Sequence, residues 1–155
     1  MNNTSINILK YTLLAAPLFL FFNTLYAQTY KDNWLPVKVD NGEKIYINTN
    51  GLTISKEGDI YVWVLEENDP PVTLEAVNNK IYKTKTYFLL NKKLKRYSIL
   101  QIILYDNKNN VIKGYTYQRN MDNKDYRYSS PIMEGSNVEA VLLHCLKQVE
   151  SANKN

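Results

Sequence analysis

Apolar and polar positions divide the chain into three regimes. An unbroken apolar run, "YTLLAAPLFLFF", fills residues 11–22; residues 34–118 mostly alternate with the period of strands; residues 138–149 repeat with the period of a helix. The first run is about a dozen residues long, the length of a signal-peptide h-region and short of the roughly 20 that a spanning helix needs. Lys10 precedes it and "NTLYA" follows, so the pattern predicts a signal peptide over residues 1–27, cut between Ala27 and Gln28. Leu25 is larger than the small residue expected three places before the cut, so a cut one or two residues away fits as well. The other reading of the run is a buried N-terminal helix or an uncleaved anchor. No cysteine follows it, which excludes a lipid anchor at that point.

The strand regime begins with "NWLPVKVD" and "EKIYINTN", separated by Asn41-Gly42, a strong hairpin signal. "SKEGDIYVWVLEEN" turns at Glu57-Gly58 and then runs as a strand from Ile60 to Leu65. "DPPVTLEAVNN" opens on two prolines and predicts a loop, with or without a short edge element. In "KIYKTKTYFLLN", Tyr82, Thr84, Thr86, Phe88 and Leu90 take a packed face, while Lys83 and Lys85 take an open one. In "KRYSILQIILYD", strict alternation puts Ser98, Leu100, Ile102 and Leu104 on one face. It puts Tyr97, Ile99, Gln101, Ile103 and Tyr105 on the other, and apolar residues on both faces predict a strand at least partly covered on each. "DNKNN" is a hairpin turn and "VIKGYTYQ" the returning strand. "RNMDNKDYRYSSPIMEGS" reads as a loop in which Tyr126 and Tyr128 are candidates for edge pairing.

The period then changes. Ser136 and Glu139 have capping-box spacing, and Val138, Val141, Leu142, Cys145, Leu146 and Val149 form the apolar stripe of one amphipathic helix. A helix with one apolar stripe must bury it, and a sheet face is the only surface large enough. The expected fold is therefore α+β: an antiparallel β-sheet of about six strands, packed by one C-terminal α-helix. It forms a single domain over residues 28–150, with 151–155 a frayed tail.

Composition narrows the chemistry. Nineteen basic residues stand against 15 acidic ones, and removal of residues 1–27 leaves 128 residues with a net charge of +3. That is mildly basic, not the balance of a dedicated polyanion binder. One cysteine excludes an intramolecular disulfide framework. The only histidine, His144, adjoins Cys145, and successive helical side chains point about 100° apart, so the two do not face each other as base and nucleophile. A zinc site needs three or four N or S ligands, more than one His and one Cys supply. Glu66, Glu67 and Asp69 lack the spacing of a calcium loop. No glycine-rich phosphate cradle and no carboxylate pair suited to acid–base work is present. The expectation is a protein with no catalytic residues, no cofactor and no metal.

One cationic cluster stands out. Lys80, Lys83, Lys85, Lys92, Lys93, Lys95 and Arg96 fall on two consecutive strands and their joining turn, interleaved with Tyr82, Tyr87 and Tyr97. If those strands pair, the charges gather at one end and along one face. Such a patch suits a sulfated glycan or an acidic protein. Nucleic acid, with bases stacked on the tyrosines, conflicts with the export signal and is not expected as a partner. The structural alternative is that lysines at strand edges block edge-to-edge association. Eleven tyrosines beyond residue 27 suit recognition surfaces and strands alike.

Several local strings, in this order and spacing, resemble the surface-adhesin protein E family of bacterial exported domains. Trp34 follows shortly after the signal; Tyr46-Ile47-Asn48 resembles the family's "YYID" strand end; "LTISKEGDIYVWVLEEN" resembles its run through a small turn into "VWV". "KKLKRYSILQIILYD" resembles its basic, aromatic strand. The following "DNKNN" stands where the family has "DxxG", with Asn in the glycine's place. "EGSNVEAVLLHC" resembles its closing helix, with Glu134 in place of a proline. The resemblance covers roughly Trp34 to Cys145. It implies an exported binding module, periplasmic, displayed on the cell surface or secreted, that adheres to host extracellular-matrix components. The alternative is a periplasmic accessory or inhibitor protein with an endogenous partner. The family also pairs a strand cysteine with the helix cysteine. Here Cys145 holds the helix position, and the strand position falls near Leu89, Leu90 or Asn91. Cys145 then either bridges two chains in a homodimer or is a buried, inert thiol; the apolar stripe it sits on favours burial.

Overall fold

Each predicted β-run returns beside its predecessor, because the joining segments are short and turn-forming. The computed structural model describes residues 32–40 and 42–152, and the predicted signal peptide, its cut at Ala27–Gln28 and residues 153–155 lie outside the described residues. The strands are β1 (Trp34–Val37), β2 (Lys44–Asn48), β3 (Asp59–Leu74), β4 (Asn79–Asn91), β5 (Arg96–Tyr105) and β6 (Val111–Thr116). A short helix α1 (Lys124–Arg127), a two-residue strand β7 (Ser130–Pro131) and the helix α2 (Asn137–Ala152) complete the chain. The sheet runs β1-β2-β3-β4-β5-β6, antiparallel throughout, and β7 adds to β5 beside Arg96 and Tyr97. This is the expected α+β architecture. In the β5–β6 turn, Asn109 has a φ of 63°, a conformation that Asn tolerates better than most residues. Asp106 Oδ1 fixes that turn by accepting from the backbone N–H groups of Lys108 and Asn110, both at 2.8 Å.

Two expectations about the strands fail. The proline segment is not a loop: β3 continues to Leu74, and its ladder with β4 breaks after Glu67 and resumes at Val72 opposite Ile81. Pro70 and Pro71 fall in the break, where a missing N–H costs no ladder bond. In β5, strict alternation also fails. Tyr87 pairs with Gln101 and Phe88 with Ile99, so Leu100 is an extra, bulged residue. Tyr97 and Ile99 therefore share a face with Ile102 and Leu104, not with Gln101 and Ile103.

Helix α2 packs on one sheet face. Val141, Leu142 and Cys145 join Val37, Ile45, Ile47, Ile60, Val62, Val64, Phe88 and Leu90 in one buried cluster, with Val138 and Leu146 at its margin. The helix starts as the sequence indicates. Ser136 Oγ accepts the Glu139 N–H at 3.2 Å, and Glu139 Oε2 accepts the Gly135 N–H at 2.8 Å, one residue earlier than an ideal capping box. It continues to Ala152, so residues 151 and 152 belong to the helix and not to a frayed tail. Leu90 lies in the same cluster as Cys145, whereas Leu89 and Asn91 face the other way. Of Leu89, Leu90 and Asn91, Leu90 is the one aimed at the helix.

Cys145 has no exposed surface, and burial pushes its thiol pKa up to about 12. A bridge between two folded chains needs the sulfur at the surface, and a reactive thiol needs an accessible thiolate. A thiol-specific chromogenic reagent at neutral pH is expected to leave the native protein unlabelled while the chain in denaturant reacts completely. Rapid native labelling, or a dimer band on non-reducing gels that Cys145→Ser removes, would show the thiol to be exposed.

Candidate functional site

The face turned away from α2 carries a different class of side chain. Along β3, Val62 and Val64 point into the core, so Tyr61, Trp63 and Leu65 project from the opposite face. Ladder partners share a face, which places Leu89, Tyr87 and Lys85 of β4 beside them, and Tyr46 of β2 next to Leu65. Trp34 and Pro36 of β1 continue the same surface. The rings of Trp63 and Tyr87 stack at 4.7 Å and 22°, and Tyr61 tilts against Tyr87 at 6.2 Å. Lys85 Nζ sits 5.1 Å from the Trp34 ring and 5.0 Å from the Trp63 ring, and pairs with Asp32 Oδ2 at 3.2 Å. Two indole faces and a carboxylate satisfy this cation, and its side chain keeps only 20% of its surface exposed. Burial raises the pKa of the Tyr61, Tyr87 and Tyr105 phenols, with Asp59, Tyr61 and Asp32 respectively adding to the effect. The phenols are therefore neutral at physiological pH. The result is a rigid, part-exposed aromatic surface built on strands.

One end of this face is closed by residues 121–131. Arg127 Nη1 lies 3.2 Å from Asp59 Oδ2, and Asn91 Nδ2 donates to Asp59 Oδ1 at 2.6 Å. The Tyr128 hydroxyl donates to the same Asp59 oxygen, and Ser98 Oγ donates to the Arg127 carbonyl at 2.7 Å. Asp59, Asn91 and Tyr128 are all buried. Tyr128 is thus an anchor and Tyr126 an exposed side chain; the edge pairing expected of them belongs to Ser130 and Pro131.

The expected lysine patch divides. Lys83 and Lys85 share the aromatic face with Tyr87, but both are ion-paired, Lys83 to Glu67 at 3.8 Å, and neither is the free, exposed cation that the alternation suggested. Lys80 is exposed near the start of β4, opposite Thr73. Lys92, Lys93 and Lys95 cluster in the β4–β5 turn, about 30 Å from Lys83 for nine extended residues. Lys93 Nζ donates to the Lys56 carbonyl at 2.7 Å, and Arg96 Nη2 to the Tyr128 carbonyl at 2.8 Å. Tyr97 lies on the helix side, tilted against Phe88 at 5.8 Å. A long hairpin separates residues that the sequence places close together. Trp34 and Trp63, central to the aromatic face, are not among the residues that the sequence marks as a site. The signal for Trp63 was present in the alternation of Tyr61, Trp63 and Leu65 with Val62 and Val64; Trp34 needs the register of three strands.

Among the described residues, no three His, Cys, Asp or Glu side chains come together as a metal site, and no helix is long and apolar enough to cross a membrane. His144 is partly exposed, its pKa lowered by burial and by Lys147. The chain matches no protein-family model, no curated protein and no solved structure.

Proposed function

We propose that this chain is an exported binding module of the surface-adhesin protein E type, and that it holds its partner against the aromatic face of the sheet. The observation that supports this is the arrangement of Trp34, Tyr61, Trp63 and Tyr87 on one strand-built surface that α2 does not cover. Tyrosine and tryptophan bring large contact area at a small entropy cost, and they dominate the binding energy of protein interfaces. The partner class, a host matrix protein or sulfated glycan, comes from the resemblance alone. The pairing of Lys83 and Lys85 to carboxylates favours protein over sulfated glycan on this face, because a polyanion would have to displace both partners.

The test is a binding screen of the mature protein against immobilised matrix proteins and heparin, with Tyr61→Asp and a Lys92→Glu, Lys93→Glu, Lys95→Glu triple variant alongside. Tyr61 is 42% exposed and the three lysines are exposed, so both variants are expected to fold. Tyr61→Asp is expected to weaken matrix-protein binding at least tenfold, with little change in the triple variant. The reverse pattern would move the binding surface to the β4–β5 turn. Absence of binding to every matrix component, with the protein protected from protease on intact cells, would favour a periplasmic partner instead.

A further inference from the structure

The helix side of the sheet is not fully covered. Beyond α2, strands β3 to β6 and Tyr117 enclose a groove of about 470 Å³ to which α2 contributes no residue. Ile81, Ile102 and Leu104 line it, Ile81 and Leu104 being 2% and 3% exposed. Its rim is apolar and open: Val72, Leu74 and Tyr117 are 46%, 42% and 41% exposed. Large apolar side chains left exposed around one depression mark a site more often than chance, and the volume lies within the range of small-molecule pockets.

The wall carries a single formal charge, Glu66. Its register with Ile45 and Thr84 puts it on the helix side, whereas Glu67, on the other face, is held by Lys83. No lysine or arginine among the described residues pairs with Glu66. The charge acting on it is Glu43, of the same sign, and burial and Glu43 together raise its pKa. A carboxyl at the side of an apolar groove, lacking a cation and repelled by a second carboxyl, is complementary to a cation that arrives with apolar surface attached. Alcohols leave this charge unanswered, and carboxylates repel it.

We propose that the groove binds a small amphiphilic amine, its ammonium on the Glu66 carboxylate and its hydrocarbon tail along Ile102 and Leu104. Tyr115 and Tyr117, on the β6 side, line the far end of the same groove. This site is separate from the aromatic surface, because Ile102 and Leu104 lie on the opposite side of β5 from Gln101 and Ile103.

The test is a methyl-NMR titration of the mature protein, labelled at isoleucine and leucine, with octylamine, octanol and octanoate below their aggregation limits. Octylamine is expected to shift Ile81, Ile102 and Leu104 and to bind at least tenfold more tightly than octanol, with octanoate weakest. Glu66→Gln should bring octylamine down to the affinity of octanol while leaving octanol unchanged. This variant is expected to melt no lower than the wild type, since it removes a charge that the fold disfavours. Tyr117→Lys, at an exposed rim position, should weaken octylamine without unfolding the chain. Equal affinity for the three probes, shifts centred on the aromatic face, an unchanged affinity in Glu66→Gln, or no shifts at all would overturn the proposal.

Discussion

A chain that ends at Glu134 is expected to lose its cooperative unfolding transition. The truncation removes α2, and with it Val141, Leu142 and Cys145 from the core cluster, Val138 and Leu146 from its border, and the buried Val149. At about 1.5–3 kcal/mol for each fully buried aliphatic side chain, the helix contributes roughly 10 kcal/mol of burial before entropy. That is comparable with the whole net stability of a small domain, about 5–15 kcal/mol. The loss is compounded on the sheet, where Ile45, Ile47, Ile60, Val62 and Val64 are each at most 2% exposed and would face water together. No disulfide links the helix to the sheet, so packing joins them, helped by one hydrogen bond from Asn137 Nδ2 to Glu43 Oε2 beside β2. Near-UV circular dichroism and a thermal melt measure the outcome. The truncated chain should show neither tertiary signal nor a sigmoidal transition, and Leu142→Ala in the full-length protein should keep the transition but lose about 2–5 kcal/mol. A truncated chain melting within a few degrees of the wild type would mean that the sheet is stable without its cover.

What the sequence made legible follows from the range of the forces involved. The α2 stripe is written in consecutive residues, and its burial at Val141, Leu142, Cys145 and Val149 matches the period. Hairpin order was legible because Asn41-Gly42, Glu57-Gly58 and "DNKNN" are local turn chemistry. Register was not. The bulge at Leu100 exchanges the faces of half of β5, and nothing around Leu100 announces it. The arm of β3 beyond Glu67 was hidden for the opposite reason: Pro70 and Pro71 are strong local signals against a strand, overruled by the pairing of Val72, Thr73 and Leu74 with β4. The candidate site suffered most. Lys83, Lys85, Lys92 and Lys93 are close along the chain but divided in space, while Trp34 and Trp63 are far apart in sequence and meet across Lys85. Charge is conspicuous in sequence; the partner that neutralises it is not.

The same argument applies to Asp59, which reads as a turn residue after Gly58 and is a buried hub of the fold. Asp59→Ala is expected to destabilise the protein by about 3–5 kcal/mol, the range for breaking a buried charge pair from one side. The carboxylate accepts from Asn91 and Tyr128 on one oxygen and faces Arg127 on the other. With it gone, two buried polar groups lose an acceptor, and Arg127 loses its ion pair while keeping its bonds to the Met121 carbonyl. Asn91 retains the Glu57 carbonyl at 3.3 Å and the Tyr128 hydroxyl at 3.0 Å, so the damage should concentrate on residues 121–131. Tyr128→Phe removes one donor and should cost less, about 1–2 kcal/mol. Arg127→Ala combined with Asp59→Ala should cost less than the sum of the two single changes, because each leaves the other's partner unpaired. Denaturant unfolding measures the four free energies, and tryptic cleavage after Arg127, faster in Asp59→Ala than in the wild type, reports the release of the segment. A loss under about 1 kcal/mol in Asp59→Ala, or strict additivity with Arg127→Ala, would mean that these residues meet without holding the segment, and that the closed end of the aromatic face is maintained by the β5–β7 pairing, Ser98 and the Arg96 bond to the Tyr128 carbonyl.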